Sequence, residues 1–111
     1  MKLLKTKKMK TTIFYENSFG IISQWTGEIL EMNGNIISIK TSPKKAYKFD
    51  LKANSEFMVV CKKKIKPLPR LNSENHHNYW TAFDEKLRFD ILQELEKNNN
   101  IAMYWNGNSF N

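Results

Sequence analysis

The chain has 111 residues, of which 41% are hydrophobic and 13% aromatic, a composition that fits one small folded domain and excludes a disordered chain. Its net charge of +7 favours a negatively charged partner. One cysteine, Cys61, excludes an internal disulfide, and no apolar run is long enough for a secretory signal or a membrane span. We therefore expect a cytoplasmic protein with a single domain over residues 1–111, in which residues 1–10 form a basic N-terminal arm.

The first half of the chain has the composition of antiparallel strands. TTIFYE (11–16) is rich in β-branched and aromatic residues, which favours a strand. A long extended run follows Gly20, and Gly27 within it indicates a bulge or a sharp bend. Asn33-Gly34 separates two apolar segments and predicts a hairpin with a type I′ turn, in which both residues have positive φ.

The next segments continue the sheet. After a turn at SPKK (42–45), AYKFDL (46–51) alternates between apolar and polar side chains. KANS (52–55) is the next predicted turn, and EFMVVCKKKIK (56–66) is the next strand. Pro67 and Pro69 end that strand, because proline cannot donate to a sheet ladder.

The second half predicts a loop, a helix and one more strand. LNSENHHNYW (71–80) has the composition of a polar loop, and Thr81 with Asp84 has the spacing of a capping box for a helix over 82–97. Three asparagines at 98–100 stop the helix, IAMYW (101–105) is the last strand, and Asn106-Gly107 turns the tail.

Together these elements predict a mainly β fold of the α+β kind. We expect a small antiparallel rolled sheet or partly open barrel of about five to six strands, with one α-helix in the C-terminal half. The outline resembles SH3-like and OB-like small barrels, a likeness of pattern that says little about function.

Basic side chains concentrate in the first part of the chain. Residues 1–70 contain 15 Lys/Arg and 5 Asp/Glu, whereas residues 71–111 contain 3 and 6. Lysines beside aromatic strands suit single-stranded nucleic acid, since charge contacts the backbone and rings contact the bases. The predicted nucleic-acid-binding residues are Lys44, Lys45, Lys48, Lys52, Lys62, Lys63, Lys64, Lys66 and Arg70.

A simpler interpretation of the lysine run CKKKIKPLPR (61–70) is protection of an edge strand against aggregation. The additional lysines in other segments favour nucleic acid, because edge protection does not require so many. Lysine greatly outnumbers arginine, and a point charge contacts the phosphate backbone without reading bases. We therefore predict low sequence specificity and leave open whether the partner is DNA or RNA.

The helix predicts a second kind of surface. Phe89 beside Leu92 widens the apolar arc of the helix, and Tyr79 with Trp80 precedes it, so these four residues are a candidate surface for a protein partner. The alternatives are that the tail around Phe110 covers the helix and that Tyr79 and Trp80 staple its start. Trp25, Tyr47 and Trp105 are predicted to lie in the core.

This surface supports an alternative function. The chain would then be a protein-interaction module that binds an acidic protein surface, or an inhibitor of phage or mobile-element origin that binds a nucleic-acid enzyme. The abundance of Lys, Asn and Ile is typical of the AT-rich genomes of many low-GC bacteria and their phages.

Catalytic and metal-binding patterns are missing from the sequence. The cluster of His76, His77, Glu74 and Asp84 has no metal-ligand spacing, and no nucleophile motif or glycine-rich phosphate loop occurs. We predict a non-enzymatic protein with no metal and no cofactor, and we interpret Cys61 as a small buried hydrophobe. The leading hypothesis is a small basic nucleic-acid-binding module.

Overall fold

The structure is a computed structural model that describes residues 10–54, 57–66, 72–73, 78–81 and 85–110. The described elements, in chain order, are β1 Lys10–Glu16, β2 Ile22–Asn33, β3 Ile36–Ser42, β4 Lys45–Asp50, α1 Leu51–Asn54, β5 Phe57–Cys61, β6 Asn72–Ser73, β7 Asn78–Thr81, α2 Glu85–Lys97 and β8 Ile101–Trp105.

Six of the strands form one open antiparallel sheet in the order β4-β3-β2-β1-β5-β8. The short strands β6 and β7 pair with each other, and β7 also pairs with the first residues of β2. Phe49 at one edge of the sheet and Trp105 at the other belong to the same buried cluster. The sheet is therefore curled so that its two edges approach a shared core, which confirms the predicted mainly β fold with a helix in the C-terminal half.

Both faces of the sheet are buried, and we call the concave one the inner face and the other the outer face. β1 shows the division, since Ile13 and Tyr15 point inward whereas Phe14 points outward. The inner cluster consists of Ile13, Tyr15, Ile29, Ile37, Ile39, Phe49, Leu51, Met58, Val60 and Trp105. The outer cluster consists of Phe14, Ile22, Phe57, Val59 and Cys61 from the strands and Leu87, Ile91 and Leu95 from α2.

Helix α2 lies on the outer face through a stripe of apolar side chains. Leu87, Ile91 and Leu95 are almost fully buried at a spacing of four residues. An ion pair fixes the first turns of the helix, because Arg88 Nε lies 2.6 Å from Glu16 Oε1 at the end of β1. The Arg88 guanidinium also lies over the Phe57 ring, 5.7 Å from its centroid.

The three asparagines end α2 as predicted. Asn99 has a φ of 53°, and its N–H donates to the carbonyl of Glu96 at 3.0 Å. The N–H of Asn100 donates to the carbonyl of Leu95 at 2.8 Å, which completes a Schellman motif. The predicted helix start at 82–84 lies outside the described residues, while the predicted end at Lys97 and the strand over 101–105 are confirmed.

The hairpin between β2 and β3 is confirmed, but its predicted turn is wrong by one residue. Asn33 still pairs with Ile36, so the turn consists of Gly34 and Asn35. Only Gly34 of these has positive φ, at 63°, which is the pattern of a type II′ turn. Glycine therefore occupies the first central position, and Asn33 keeps its place in the strand.

Gly27 is not the bulge that the sequence predicts. The register of β2 with β3 shifts between Ile29 and Glu31, two residues further along, where Leu30 is half exposed. At Gly27 the backbones come close instead, since a Cβ there would lie 2.3 Å from the carbonyl oxygen of Lys40. The glycine allows β2 and β3 to approach.

Two further predictions are wrong. β5 ends at Cys61 and lies between β1 and β8, so residues 62–66 are neither a strand nor a sheet edge. Within the predicted polar loop, residues 72–73 and 78–81 form the strand pair β6 and β7. β7 pairs with β2 over Ile22–Trp25, a partner too distant in the chain for local composition to reveal.

Replacing Gly27 by Ala is expected to lower the free energy of unfolding by about 2–3 kcal/mol, because the new Cβ overlaps a backbone carbonyl that cannot turn aside. Gly34→Ala is the matched control, since its Cβ meets nothing within 4 Å. The only expected cost is the backbone strain of a positive φ, which lowers the free energy of unfolding by about 1 kcal/mol. Urea unfolding of both variants measures the difference. If Gly27→Ala lowers the free energy of unfolding no more than Gly34→Ala does, the close approach of β2 to the Lys40 carbonyl is contradicted.

Candidate nucleic-acid interface

The segment of residues 62–66, hereafter the lysine segment, crosses the outer face of the sheet. The Ile65 N–H donates to Thr12 Oγ1 on β1 at 2.9 Å. Gln24 Nε2 on β2 donates to the carbonyl of Lys66 at 3.1 Å. Thr12 and Gln24 are both buried, and Ile65 packs against the outer cluster. The segment therefore runs from the end of β5 over β1 to β2, while its four lysines stay exposed.

Asn100 fixes the start of the lysine segment. Its side chain is 6% exposed and bonds both backbone groups of Lys63: Oδ1 accepts from the N–H at 2.8 Å, and Nδ2 donates to the carbonyl at 3.3 Å. Its own carbonyl accepts from the Lys62 N–H at 3.2 Å. The segment is thus tied to the residue that also caps α2 and precedes β8.

The crossing brings Lys64 to a cleft between the start of β1, the middle of β2 and the end of β3, which we call the lysine cleft. Lys10 and Lys40 also line it, and its volume is about 360 Å³. The remaining lining residues are Thr26, Gly27, Glu28, Thr41, Ser42 and Pro43. Three positive charges from distant parts of the chain therefore surround one concave site.

The cleft keeps an excess of positive charge. Glu28 lies between two of the lysines, since its register partners are Lys10 on β1 and Lys40 on β3. Within the described part of the chain, no nitrogen of Lys10, Lys40 or Lys64 lies within 4.0 Å of a carboxylate oxygen. One carboxylate among three ammonium groups leaves a local charge of about +2, because 3 − 1 = 2.

One polar atom of the wall has no partner. Thr41 Oγ1 is buried and forms no hydrogen bond among the described residues. A buried hydroxyl without a partner loses the hydrogen bonds that water would supply. The hydroxyl is buried and is not exposed at the surface of the cleft, so its unmet hydrogen bonds are a cost to the folded chain.

The other predicted basic residues are distributed around the cleft. Lys44 follows Pro43 in the β3–β4 turn, and Lys48 is exposed on β4 opposite Ser38. Lys62, Lys63 and Lys66 are exposed on the lysine segment. Arg70 lies outside the described residues.

Lys52 is placed apart from this group. It lies on α1, where the Leu51 N–H bonds the carbonyl of Asn35 at the opposite end of β3 from the cleft. Lys45 and Lys48 belong to β4, which is an edge of the sheet, so edge protection accounts for those two lysines but not for the lysine segment.

Lys40 is not among the residues predicted from the sequence, and Lys10 was predicted only as part of the N-terminal arm. Lys40 follows the apolar run of β3 and has no basic neighbour in sequence. The available signal was the alternation of Ser38, Lys40 and Ser42 with Ile37, Ile39 and Thr41 along one strand. That pattern places Lys40 on the outer face, but only the register with Lys10 and the crossing of Lys64 form the site.

Aromatic platforms are missing from the described wall of the cleft. Trp25 and Tyr47 pack against the inner cluster, with ring centroids 4.7 Å apart, and Trp105 is 3% exposed. These three tryptophan and tyrosine residues therefore pack in or against the core as predicted. Tyr79 and Trp80 lie on β7, and their side chains are outside the described residues.

The candidate protein-partner surface is only partly exposed. Phe89 on α2 is 61% exposed, whereas Leu92 packs against the outer cluster. Phe110 does not cover this helix, because its ring packs against Trp105 in the inner cluster at a centroid distance of 5.2 Å. The suggestion that the tail around Phe110 shields the helix is therefore wrong.

Groups suited to covalent or metal chemistry are scarce among the described residues. Burial raises the pKa of the Cys61 thiol to about 12, so the thiolate that acts as a nucleophile is not formed near neutral pH. The described side chains contain no group of three His, Cys, Asp or Glu residues that could hold a metal ion. His76, His77, Glu74 and Asp84 lie outside those residues.

The described helices are too short or too polar to cross a bilayer. No protein-family model, curated protein sequence or solved structure matches this chain.

Replacing Asn100 by Ala is expected to lower the free energy of unfolding by about 2 kcal/mol, since the two side-chain hydrogen bonds to Lys63 are lost and that backbone is left partly unsatisfied. Amide hydrogen exchange at Lys63 and Ile65 should accelerate at the same time. Both effects can be measured by denaturant unfolding and NMR-detected exchange.

Asn98→Ala is the control, because the Asn98 side chain is exposed and bonds only Glu94 of its own helix. The free energy of unfolding of that variant should stay within about 0.5 kcal/mol of the parent value. A loss of stability in Asn100→Ala no larger than that in Asn98→Ala would show that the side-chain hydrogen bonds to Lys63 contribute little, since alanine keeps the backbone N–H that caps α2.

Proposed function

We propose that this protein is a small nucleic-acid-binding module that contacts the phosphate backbone with low sequence specificity. The observation that carries the proposal is the convergence of Lys10, Lys40 and Lys64 on one cleft with no described ion pair to neutralise them. Lys44 and the other lysines of the lysine segment, which are Lys62, Lys63 and Lys66, extend this basic surface outward.

The type of basic residue supports contact with the backbone. The described basic surface consists of lysines, whose compact ammonium groups act as point charges toward phosphate. Base readout in the major groove more often uses the bidentate guanidinium of arginine. The described wall of the cleft also lacks an aromatic ring for base stacking. We therefore expect contacts to phosphates, which both single-stranded and double-stranded nucleic acids present.

Salt dependence tests the proposal directly. Each neutralised phosphate releases counterions, so log affinity should fall linearly with log salt, with a slope of about −0.9 per contact on duplex and about −0.7 on a single strand. The triple variant Lys62→Ala, Lys63→Ala, Lys64→Ala should flatten the slope and weaken binding to different sequences alike. Fluorescence anisotropy with labelled DNA and RNA oligonucleotides, single- and double-stranded, measures this.

A control variant removes lysines elsewhere. Lys52→Ala, Lys86→Ala takes two lysines from α1 and the start of α2, away from the lysine segment, and should leave the slope nearly unchanged. An equal loss of affinity per lysine removed in the two variants would indicate attraction by net charge alone and would remove the proposed interface. Absence of binding to every oligonucleotide at low salt would end the nucleic-acid proposal.

A second candidate function, a protein-docking module, is favoured by the exposure of Phe89, which is 61% accessible in the middle of α2. Phe89→Asp should leave the free energy of unfolding within about 0.5 kcal/mol of the parent, because the ring makes little contact with the core. If α2 is a docking surface for a second copy of the chain, the same variant should abolish self-association in sedimentation velocity.

Leu30→Asp provides the control, since Leu30 is 50% exposed at the bulge where β2 pairs with β3, whereas α2 packs on β1, β5 and the first residue of β2. It should leave self-association unchanged. A large drop in the melting temperature of Phe89→Asp would show that Phe89 is a core residue and would rule out this candidate.

A further inference from the structure

We infer that the lysine cleft is a discrete site for one phosphate group, and that Glu28 lowers its affinity by repulsion. The inference deepens the proposed function and rests on it for the source of the phosphate. It differs from general polyanion binding, because it assigns one phosphate to one set of residues.

The positions of the charges define the site. Lys10, Glu28 and Lys40 form a row across three adjacent strands, with Glu28 opposite Lys10 on one side and Lys40 on the other. Lys64 reaches the same cleft from the lysine segment, which crosses the sheet between Thr12 and Gln24. An anion in the cleft therefore meets ammonium groups contributed by three separate segments.

The uncharged part of the wall includes hydroxyl side chains. Thr26, Thr41 and Ser42 line the cleft, and Thr26 lies opposite Thr12 on the outer face. A phosphate group has several acceptor oxygens, so it can accept from ammonium and hydroxyl groups at once. Thr26 and Ser42 are thus additional donors for a phosphate oxygen in the cleft.

The shape of the cleft fits a phosphate together with its carrier. Its volume of about 360 Å³ is within the range of small-molecule sites, roughly 300–1,000 Å³. Gly27 contributes no side chain to this space, and β2 approaches the Lys40 carbonyl at that position. Lysine binds phosphate as a point charge, so three lysines around the cleft suit a group whose negative charge is spread over several oxygens.

The test is an NMR titration with inorganic phosphate at pH 7, with the ionic strength held constant by chloride. Saturable shifts are expected at the amides of Gly27, Thr41 and Ser42. Lys40→Gln and Lys64→Gln should each weaken phosphate binding about tenfold, the loss of one charge-assisted hydrogen bond. Lys64 lies outside the sheet, so its variant separates binding from any effect of Lys40 on folding.

Glu28→Gln gives the sharper result, because it should tighten phosphate binding about threefold by removing a negative charge from the wall. Glu31→Gln is the matched control. It removes the same charge from the same strand, but the Glu31 carboxylate accepts from the Ser38 hydroxyl and does not line the cleft. Equal affinities for the two variants, or no saturable phosphate shifts, would overturn the inference.

Competition separates this inference from the proposed function. Displacement of inorganic phosphate from the cleft by an oligonucleotide supports both the phosphate site and the nucleic-acid function. Saturable phosphate binding without oligonucleotide binding supports the phosphate site, with a free phosphate compound as the ligand, and rejects the nucleic-acid function. Oligonucleotide binding that is weakened by the triple variant of the lysine segment but unchanged by Lys40→Gln and by Glu28→Gln supports the nucleic-acid function and rejects the discrete site.

Discussion

The hydrogen bonds of Asn100 determine where the lysine segment lies. This one buried residue completes the cap of α2 through its N–H, accepts from Lys62 through its carbonyl and holds both backbone groups of Lys63 through its side chain. The chain leaving β5 is therefore directed across the outer face instead of continuing as a strand. Without that change of direction, Lys64 would not share a cleft with Lys10 and Lys40.

The outer face of the sheet is divided into two regions by what covers it. Under α2 it is apolar, with Phe14, Ile22 and Phe57 packed against the helix. Toward the start of β1 it becomes polar, since Thr12 accepts from the lysine segment and Lys10 lines the cleft. The outward-facing side chains of β1 thus pack in the outer cluster at one end of the strand and line the candidate site at the other.

Local patterns predicted most of the fold. β-branched and aromatic residues indicated β1, the Asn-Gly dipeptide indicated the hairpin of β2 and β3, and alternation indicated β4. The asparagine run indicated the end of α2, where Asn99 adopts the left-handed conformation. The features that were missed depend on distant partners. β5 stops at Cys61 and not at Lys66 as predicted, because the backbone of Lys63 bonds Asn100 and that of Ile65 bonds Thr12.

The candidate site was harder to predict than the fold. Charge counting selected the lysine run but could not show which other lysines join it. Lys40 lies 24 residues from Lys64 and 30 from Lys10, as 64 − 40 = 24 and 40 − 10 = 30, so only strand register and the crossing segment bring the three together. Gly27 had a local signal, but it indicated a bulge, whereas the close approach to Lys40 depends on the neighbouring strand.

The charges on α2 restrict how a polyanion can approach this surface. Glu94 and Glu96 are exposed and Asp90 is partly exposed on the helix, which covers the apolar region of the same outer face that bears the cleft. At physiological ionic strength, charges act over about 8 Å, so the helix repels only those phosphates that come near it. A bound strand would therefore be directed toward the cleft and the β3–β4 turn and away from α2. Under the nucleic-acid proposal, the contact would be short and would involve few phosphates, so its salt dependence would be much weaker than that of proteins that contact about six to ten of them.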